Sequence, residues 1–327
     1  MPAPVVPQSV ITEAVGLACR APSLHNSQPW RWVDYGTSVD LFLDHHRIVR
    51  SSDSSGREAH ISCGAALDHF RVAMAAAGWV IHVDRFPNPN NREHLADIQF
   101  SPVAHVTDAM RDRASAITRR RTDRLPLHPP AHWDTVAPLV NAAIDHEAVR
   151  FVMLADDARG RLAEASQLTE SLRRYDEFYH RELQWWTANV RHSDGVPAEA
   201  LVSSPEAERV GVNRAFPSRE HAERRPDVAR DEARIAVLIT PEDTPRDAIA
   251  CGEALSTILL ECTMAGLATC PLTHITEMPE SRRIILDLAG TTGIPQVLIR
   301  IGSAPPVDDV PPVTPRRSLA EVLEVDR

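Results

Sequence analysis

The sequence predicts an α+β protein, with sheets flanked by helices, built from two related halves. Three observations predict this. Hydrophobic residues make up 43% and charged residues 24% of 327 residues, enough apolar material for one large domain or two ordinary ones. Helix-period segments alternate with short strand-like runs along the chain. One helix–strand unit also occurs twice.

In chain order, Val10 to Ala18 carries helical apolar spacing and precedes Pro22 and Pro29, two residues that stop a helix and favour extended neighbours. Arg31 to Val33 reads as a strand. Residues 61–78 and 249–266 read as helices that end on Gly78 and Gly266, and each is followed by a strand, Trp79 to Val83 and Leu267 to Leu272. Ungapped, the two helices share Ile61/Ile249, Cys63/Cys251, Gly64/Gly252, Ala66/Ala254, Leu67/Leu255, Ala77/Ala265 and Gly78/Gly266. Gly64 and Gly252 would let another backbone approach closely. Trp133 to Ala143 is a further helix, and Val149 to Leu154 and Ala233 to Ile239 are further strands. The halves divide as 1–117 and 118–327, the second carrying an insertion over about 173–230.

Several function classes are excluded. A net charge of −10 argues against a nucleic-acid surface. No run reaches the roughly 18 apolar residues of a membrane span. Met1 to Gln8 lacks the basic start and apolar centre of a signal peptide, and five cysteines without a Cys-x-x-Cys pair suggest free thiols, so a cytoplasmic location is expected. There is no Gly-x-Gly-x-x-Gly after a strand, no Gly-x-Ser-x-Gly elbow, and no metal-ligand spacing around His45-His46. Neither a metal nor an acid–base catalytic side chain is expected.

Three polar segments remain. Ser23, His25, Asn26, Ser27 and Gln28 lie between Pro22 and Pro29, as a capped surface loop or as a stiff loop holding a planar polar ligand. Arg119, Arg120, Arg121, Thr122 and Arg124 form a basic cluster, and Thr314-Pro-Arg316-Arg317 another. Each reads either as a solvated basic turn or as part of an anion site, because guanidinium forks bind phosphate bidentately.

The loop Ser23-x-x-Asn26-Ser-Gln28-Pro-Trp resembles the flavin-contacting loop of FMN-dependent nitroreductases. Arg120-Arg121-Thr122-Asp-Arg124 looks like the family's Arg-x-Ser/Thr-x-Lys/Arg motif, and Arg316-Arg317 like its C-terminal basic pair. The resemblance implies that these residues reach the flavin phosphate and ribityl chain. Pro271-Leu272-Thr273-His274 is similar to the strand end facing the reactive ring nitrogen, with Thr273-His274 where the family often has Glu-Gly. The match spans nearly the whole chain and is nearest the Acg-type branch. It implies a nitroreductase-like fold, a monomeric internal pseudo-dimer, and one FMN per chain bound between the halves.

The insertion begins with an aromatic-rich stretch, Arg173 to Trp186, expected to be helical, followed by a polar stretch from His192 to Arg225. An excursion of this length acts as a lid or a binding loop. Trp185 and Trp186 either cover a flavin face or pack into the core. Two functions follow: an oxidoreductase passing electrons from NAD(P)H through FMN to a nitro or quinone acceptor, or a protein that holds FMN under a closed lid.

Overall fold

A computed structural model describes residues 5–188, 194–216, 222–307 and 312–326. The segments 189–193 and 217–221 of the insertion, with the chain ends, lie outside the described residues.

The first half opens with α1 (Gln8–Ala18), β1 (Trp30–Asp34), β2 (Ser38–Leu43), α2 (Arg57–Ala76), β3 (Trp79–Arg85), β4 (His94–Pro102) and α3 (Asp108–Arg119). The second continues with α4 (Trp133–Ala142), β5 (Arg150–Met153), α5 (Ala158–Arg173), α6 (Glu177–Ala188), α7 (Ser204–Val210), β6 (Arg234–Thr240) and α8 (Pro245–Met264). It ends with β7 (Ala268–Leu272), α9 (Pro279–Ala289), β8 (Ile294–Gly302), α10 (Leu319–Val322) and β9 (Leu323–Val325). One sheet has the order β3-β4-β2-β1-β9, antiparallel except for the parallel pair β1–β9; the other, β5-β6-β8-β7, is antiparallel throughout. The last strand thus joins the sheet of the first half, pairing Trp32 with Leu323, so the tail crosses the expected division at residue 117.

The central helices α2 and α8 are the repeated segments. Both are 20 residues long. Their first turns are satisfied differently. Asp53 accepts the amides of Glu58 and Ala59 at 3.0 and 2.8 Å, whereas α8 has a Thr244/Asp247 capping box with Pro245 in its first turn. Both are buried over most of their length, as expected of helices covered on several sides. A Cβ on Gly64 would overlap the Ile249 carbonyl, and one on Gly252 the Ile61 carbonyl. Ser256 donates to Asp68 at 2.6 Å, and these two are 188 residues apart, the same offset as the repeat. Gly78 and Gly266 end the helices at φ +92° and +74°.

One local expectation changes and another gains detail. Arg173 to Trp186 is helical except for a break at Arg174–Asp176, where Asp176 turns its carboxylate onto the Tyr179 amide at 3.0 Å and starts α6 afresh. The loop after Pro22 is extended only at Ser23; His25, Asn26 and Gln28 are left-handed at φ +50°, +60° and +52°. Tertiary hydrogen bonds to the tail override the local preference there.

The glycine contact yields a stability prediction. Gly64→Ala and Gly252→Ala should each destabilise by about 1–3 kcal/mol through overpacking. Gly160→Ala, in α5 with nothing within 4 Å of the added Cβ, should be neutral or stabilising by up to ~1 kcal/mol. Urea unfolding of the three variants checks this, and equal losses at all three would remove the steric account.

Candidate functional site

Two cavities adjoin in one cleft, sharing the walls Pro22, Ser23, Thr122 and Arg124. The inner one lies between the 22–25 loop, the start of α2 and the residues Cys270–His274 at the end of β7. The outer one is lined by Arg20, Asn26, Arg120, Arg121 and Arg316.

The outer cavity is where the basic clusters meet. Residues 120–124 lie along β7, held by the Thr122–Thr269 bridge and by the Asp123 amide donating to the Thr269 carbonyl at 2.9 Å. Arg120 is buried; its Nη2 donates to the Arg20 carbonyl at 3.3 Å, while Nε and Nη1 have no partner among the described residues. Burial and the neighbouring Arg20 push its guanidinium down to about 10. Arg316 is pushed down to about 9 by burial, Arg120 and Arg20. Three like charges therefore crowd one place, a costly arrangement for the empty protein and a favourable one for a polyanion. Arg316 also donates to the Cys19, Arg20 and Ala21 carbonyls at 2.8, 3.3 and 3.5 Å, serving the C-terminal end of α1. Arg20 was missed in the sequence. Its only signal is its place directly before the Pro22–Pro29 loop.

The other expected residues divide. Ser23 lines both cavities and accepts the Gln28 amide at 3.1 Å. Asn26 donates to the carbonyls of Gly195 and Pro315, both at 3.1 Å, tying the insertion and the tail to the loop. Arg124 stands over Phe216, 5.5 Å from the ring centre. Pro271, Leu272, Thr273 and His274 all line the inner cavity. His274 bonds Ser166 through Nε2 at 2.8 Å and is held neutral by burial and Arg214. Gln28 and Arg317 line neither cavity. Gln28 accepts the Arg317 amide at 2.8 Å, and the Arg317 guanidinium reaches the Gln28 and Trp30 carbonyls and Asp44. Their role in this geometry is to clamp the loop from behind.

The insertion supplies one wall of the inner cavity, through Val202, Asn213, Arg214 and Phe216. Trp185 and Trp186 do not line it; both are on α6 and border a separate groove with Arg47 and Ser51, Trp186 buried and Trp185 half exposed. The aromatic that the insertion places in the cavity wall is Phe216, set edge-on to His25 at 5.9 Å. Arg214 bonds the Tyr179 hydroxyl at 3.0 Å and pairs with Glu277, which Arg173 also meets at 3.3 Å. Burial and Glu58 push Glu277 up to about 7 against the pull of Arg214. Glu58 and Arg214, both lining the cavity, were not singled out in the sequence, because a lone charge on a helix or in a loop is usually solvated.

No family model matches the chain. A Mycobacterium tuberculosis protein named NAD(P)H nitroreductase acg is 51% identical over 325 residues, 99% of this chain and 98% of that protein. A second protein of that organism, also named an NAD(P)H nitroreductase, is 39% identical over 316 residues, 94% of this chain and 89% of its own. The crystal structure of the FMN-dependent nitroreductase NfnB from Mycobacterium smegmatis in complex with NADPH aligns over 67% of this chain and 100% of that one, at 20% identity and a TM-score of 0.41. With half of all positions shared across both full lengths, this chain belongs to the NAD(P)H nitroreductase family.

Proposed function

We propose that this protein is an NAD(P)H oxidoreductase of the nitroreductase type that binds one FMN per chain, in the cleft between its halves. The observation that carries the reading is the arginine cluster. Arg20, Arg120 and Arg316 converge at one end of the cleft, and Arg120 keeps two buried nitrogens without a partner among the described residues. A phosphomonoester supplies the missing negative charge and acceptors. The inner cavity, with its backbone wall at Pro271–His274 and the polar loop at Ser23–His25, suits a planar ring. When bound, FMN would supply the redox chemistry. The protein's part is to anchor the phosphate through Arg120 and Arg316, to keep the loop in place through Asn26 and Gln28, and to exclude water with Phe216.

The reciprocal contacts of Gly64 with Ile249 and of Gly252 with Ile61 support a pseudo-dimer, since residues related by a twofold axis exchange contacts in this way. Each half contributes what the other lacks, so a monomer would suffice for one site. The electron acceptor would be a nitro or quinone compound. A second reading, storage of FMN with little turnover, is favoured by the cover of Asn213, Arg214 and Phe216.

Two predictions test this. The purified protein should bind one FMN per chain, and Arg120→Ala should weaken FMN by about 10–100-fold, the worth of one charge-assisted contact of roughly 1.5–3 kcal/mol. Riboflavin, which has no phosphate, should bind weakly to the parent and be unchanged by the substitution; equal losses for both ligands in a flavin titration would place Arg120 outside the phosphate site. Phe216→Ala should speed anaerobic bleaching of the flavin by NADPH, because the side chain occupies space a second ring needs. Fast bleaching of the parent with no gain in Phe216→Ala would count against the cover. No bleaching in either protein would favour storage.

A further inference from the structure

The inner cavity contains a carboxyl group that no anchoring role explains. Glu58 lies in the first turn of α2, is 2% exposed and lines the cavity beside Leu24, His25 and Thr273. Three carboxyls are buried here, and their hydrogen bonds differ. Asp53 uses both oxygens on the amides of Glu58 and Ala59. Glu277 uses both on Arg214 and Arg173. Glu58 accepts from Arg57 Nη2 through Oε1 at 3.0 Å, and its Oε2 makes no hydrogen bond of ordinary geometry among the described residues.

The groups around Glu58 come from every packed element. Arg57 lies on its own helix, Asp53 on the preceding loop, Arg214 on the insertion, and Thr273 and Glu277 after β7. His25 faces the same cavity and is held neutral by burial and by Arg214 and Arg124. Arg57 is shared: it also donates to the Gln296 carbonyl and amide oxygen at 2.7 and 3.0 Å and to the Thr276 hydroxyl at 3.2 Å. Arg214 is committed to Glu277 and Tyr179. Burial, with Asp53, holds the Glu58 carboxyl above its ordinary range, opposed by Arg57, Arg214 and the Thr273 hydroxyl. Oε2, without a hydrogen bond of ordinary geometry among the described residues, is the oxygen left open to the cavity's contents.

We propose that Glu58 is a catalytic acid of this cavity, whose Oε2 passes a proton to an oxygen of the electron acceptor. This rests on the oxidoreductase reading above and deepens it by selecting acceptors whose reduction places a proton on oxygen, quinones foremost. The balance is simple. Two electrons and one proton reach the quinone as a hydride equivalent drawn from the reduced nicotinamide. The second proton leaves Glu58 as its O–H bond breaks and one forms at the quinone oxygen, giving the hydroquinone. The carboxylate left behind has Arg57 beside it and is reprotonated from solvent when product leaves.

The test uses the full chain loaded with FMN and reduced with dithionite, so that it does not depend on nicotinamide use. Reoxidation by benzoquinone, which needs a proton, is compared with reoxidation by ferricyanide, which takes single electrons and has no oxygen to protonate. Glu58→Gln, nearly isosteric, should slow the quinone reaction by at least about 100-fold, the ordinary size of a general-acid contribution, and leave the ferricyanide rate within about twofold. Glu58→Asp should recover part of the quinone rate. The parent-minus-Glu58→Gln infrared difference spectrum, with or without flavin, should contain a deuterium-sensitive carbonyl band of an un-ionised carboxylic acid, over whatever Glu277 contributes to both. Equal slowing by both acceptors, or no such band in the difference spectrum, would overturn the assignment. Failure of the parent to bind FMN would instead overturn the cofactor reading, with the infrared band still deciding the protonation of Glu58.

Discussion

The close approach of α2 and α8 is the constraint on which the rest of the structure depends. Two helices can pack backbone against backbone only where side chains are missing, and Gly64 and Gly252 each face the carbonyl of a residue in the other helix. That contact fixes the distance between the two sheets. It also places the start of α2, with Glu58, Ile61 and Ser62, against Leu255 of α8 in one cavity wall. A wider helix pair would separate the polar loop of the first half from the β7 end of the second. The tail then crosses back, with β9 on β1 and Arg317 on the loop carbonyls, so the loop is gripped from both halves.

The grip is needed because the loop is strained. His25, Asn26 and Gln28 hold left-handed conformations that non-glycine residues seldom adopt, at a cost of order 1–3 kcal/mol each for the less tolerant residues. Locally, the Gln28 amide donates to Ser23 Oγ at 3.1 Å and the Gln28 side chain to the Asn26 carbonyl at 3.2 Å. Hydrogen bonds from Asn26 to Gly195 and Pro315, and from the Arg317 amide to Gln28, over-determine the conformation. The arginine cluster is a second unfavourable feature of the empty protein, since burial and mutual repulsion both act against the charges. Strain and uncompensated charge meet at one cleft, where a ligand would relieve the charge.

Much of this was legible in the sequence. The repeat at a fixed offset gave the central helix pair, because identical glycines at matching positions carry a packing meaning that composition does not. The Ser23–Trp30 loop and residues 119–124 stood out because several polar side chains fall together between prolines or along six residues. Arg20, Glu58, Arg214 and Phe216 did not stand out, since each sits alone among unremarkable neighbours and gains its meaning only from residues distant in the chain. The break between α5 and α6 was hidden for a similar reason: helical periodicity runs through Arg174–Asp176, and only the side-chain hydrogen bond of Asp176 interrupts it.

The insertion changes the chemistry of the cleft as well as its access. Arg214 enters the interior as a full charge and is tolerated because Glu277 and the Tyr179 hydroxyl meet it. Glu277 in turn is shared with Arg173 at the end of α5, which also donates to the Ser51 carbonyl at 2.8 Å. A chain of polar contacts therefore runs from the first half, through the insertion, to the residues after β7. Moving Phe216 outward would draw Arg214 with it and leave the Glu277 carboxylate short of a partner, next to Glu58. Access to the cavity and the charge state of its carboxyl groups are thereby one problem. A cavity wall built only of apolar side chains could shift without touching the acids beside it; a wall that includes Arg214 is tied to Glu277.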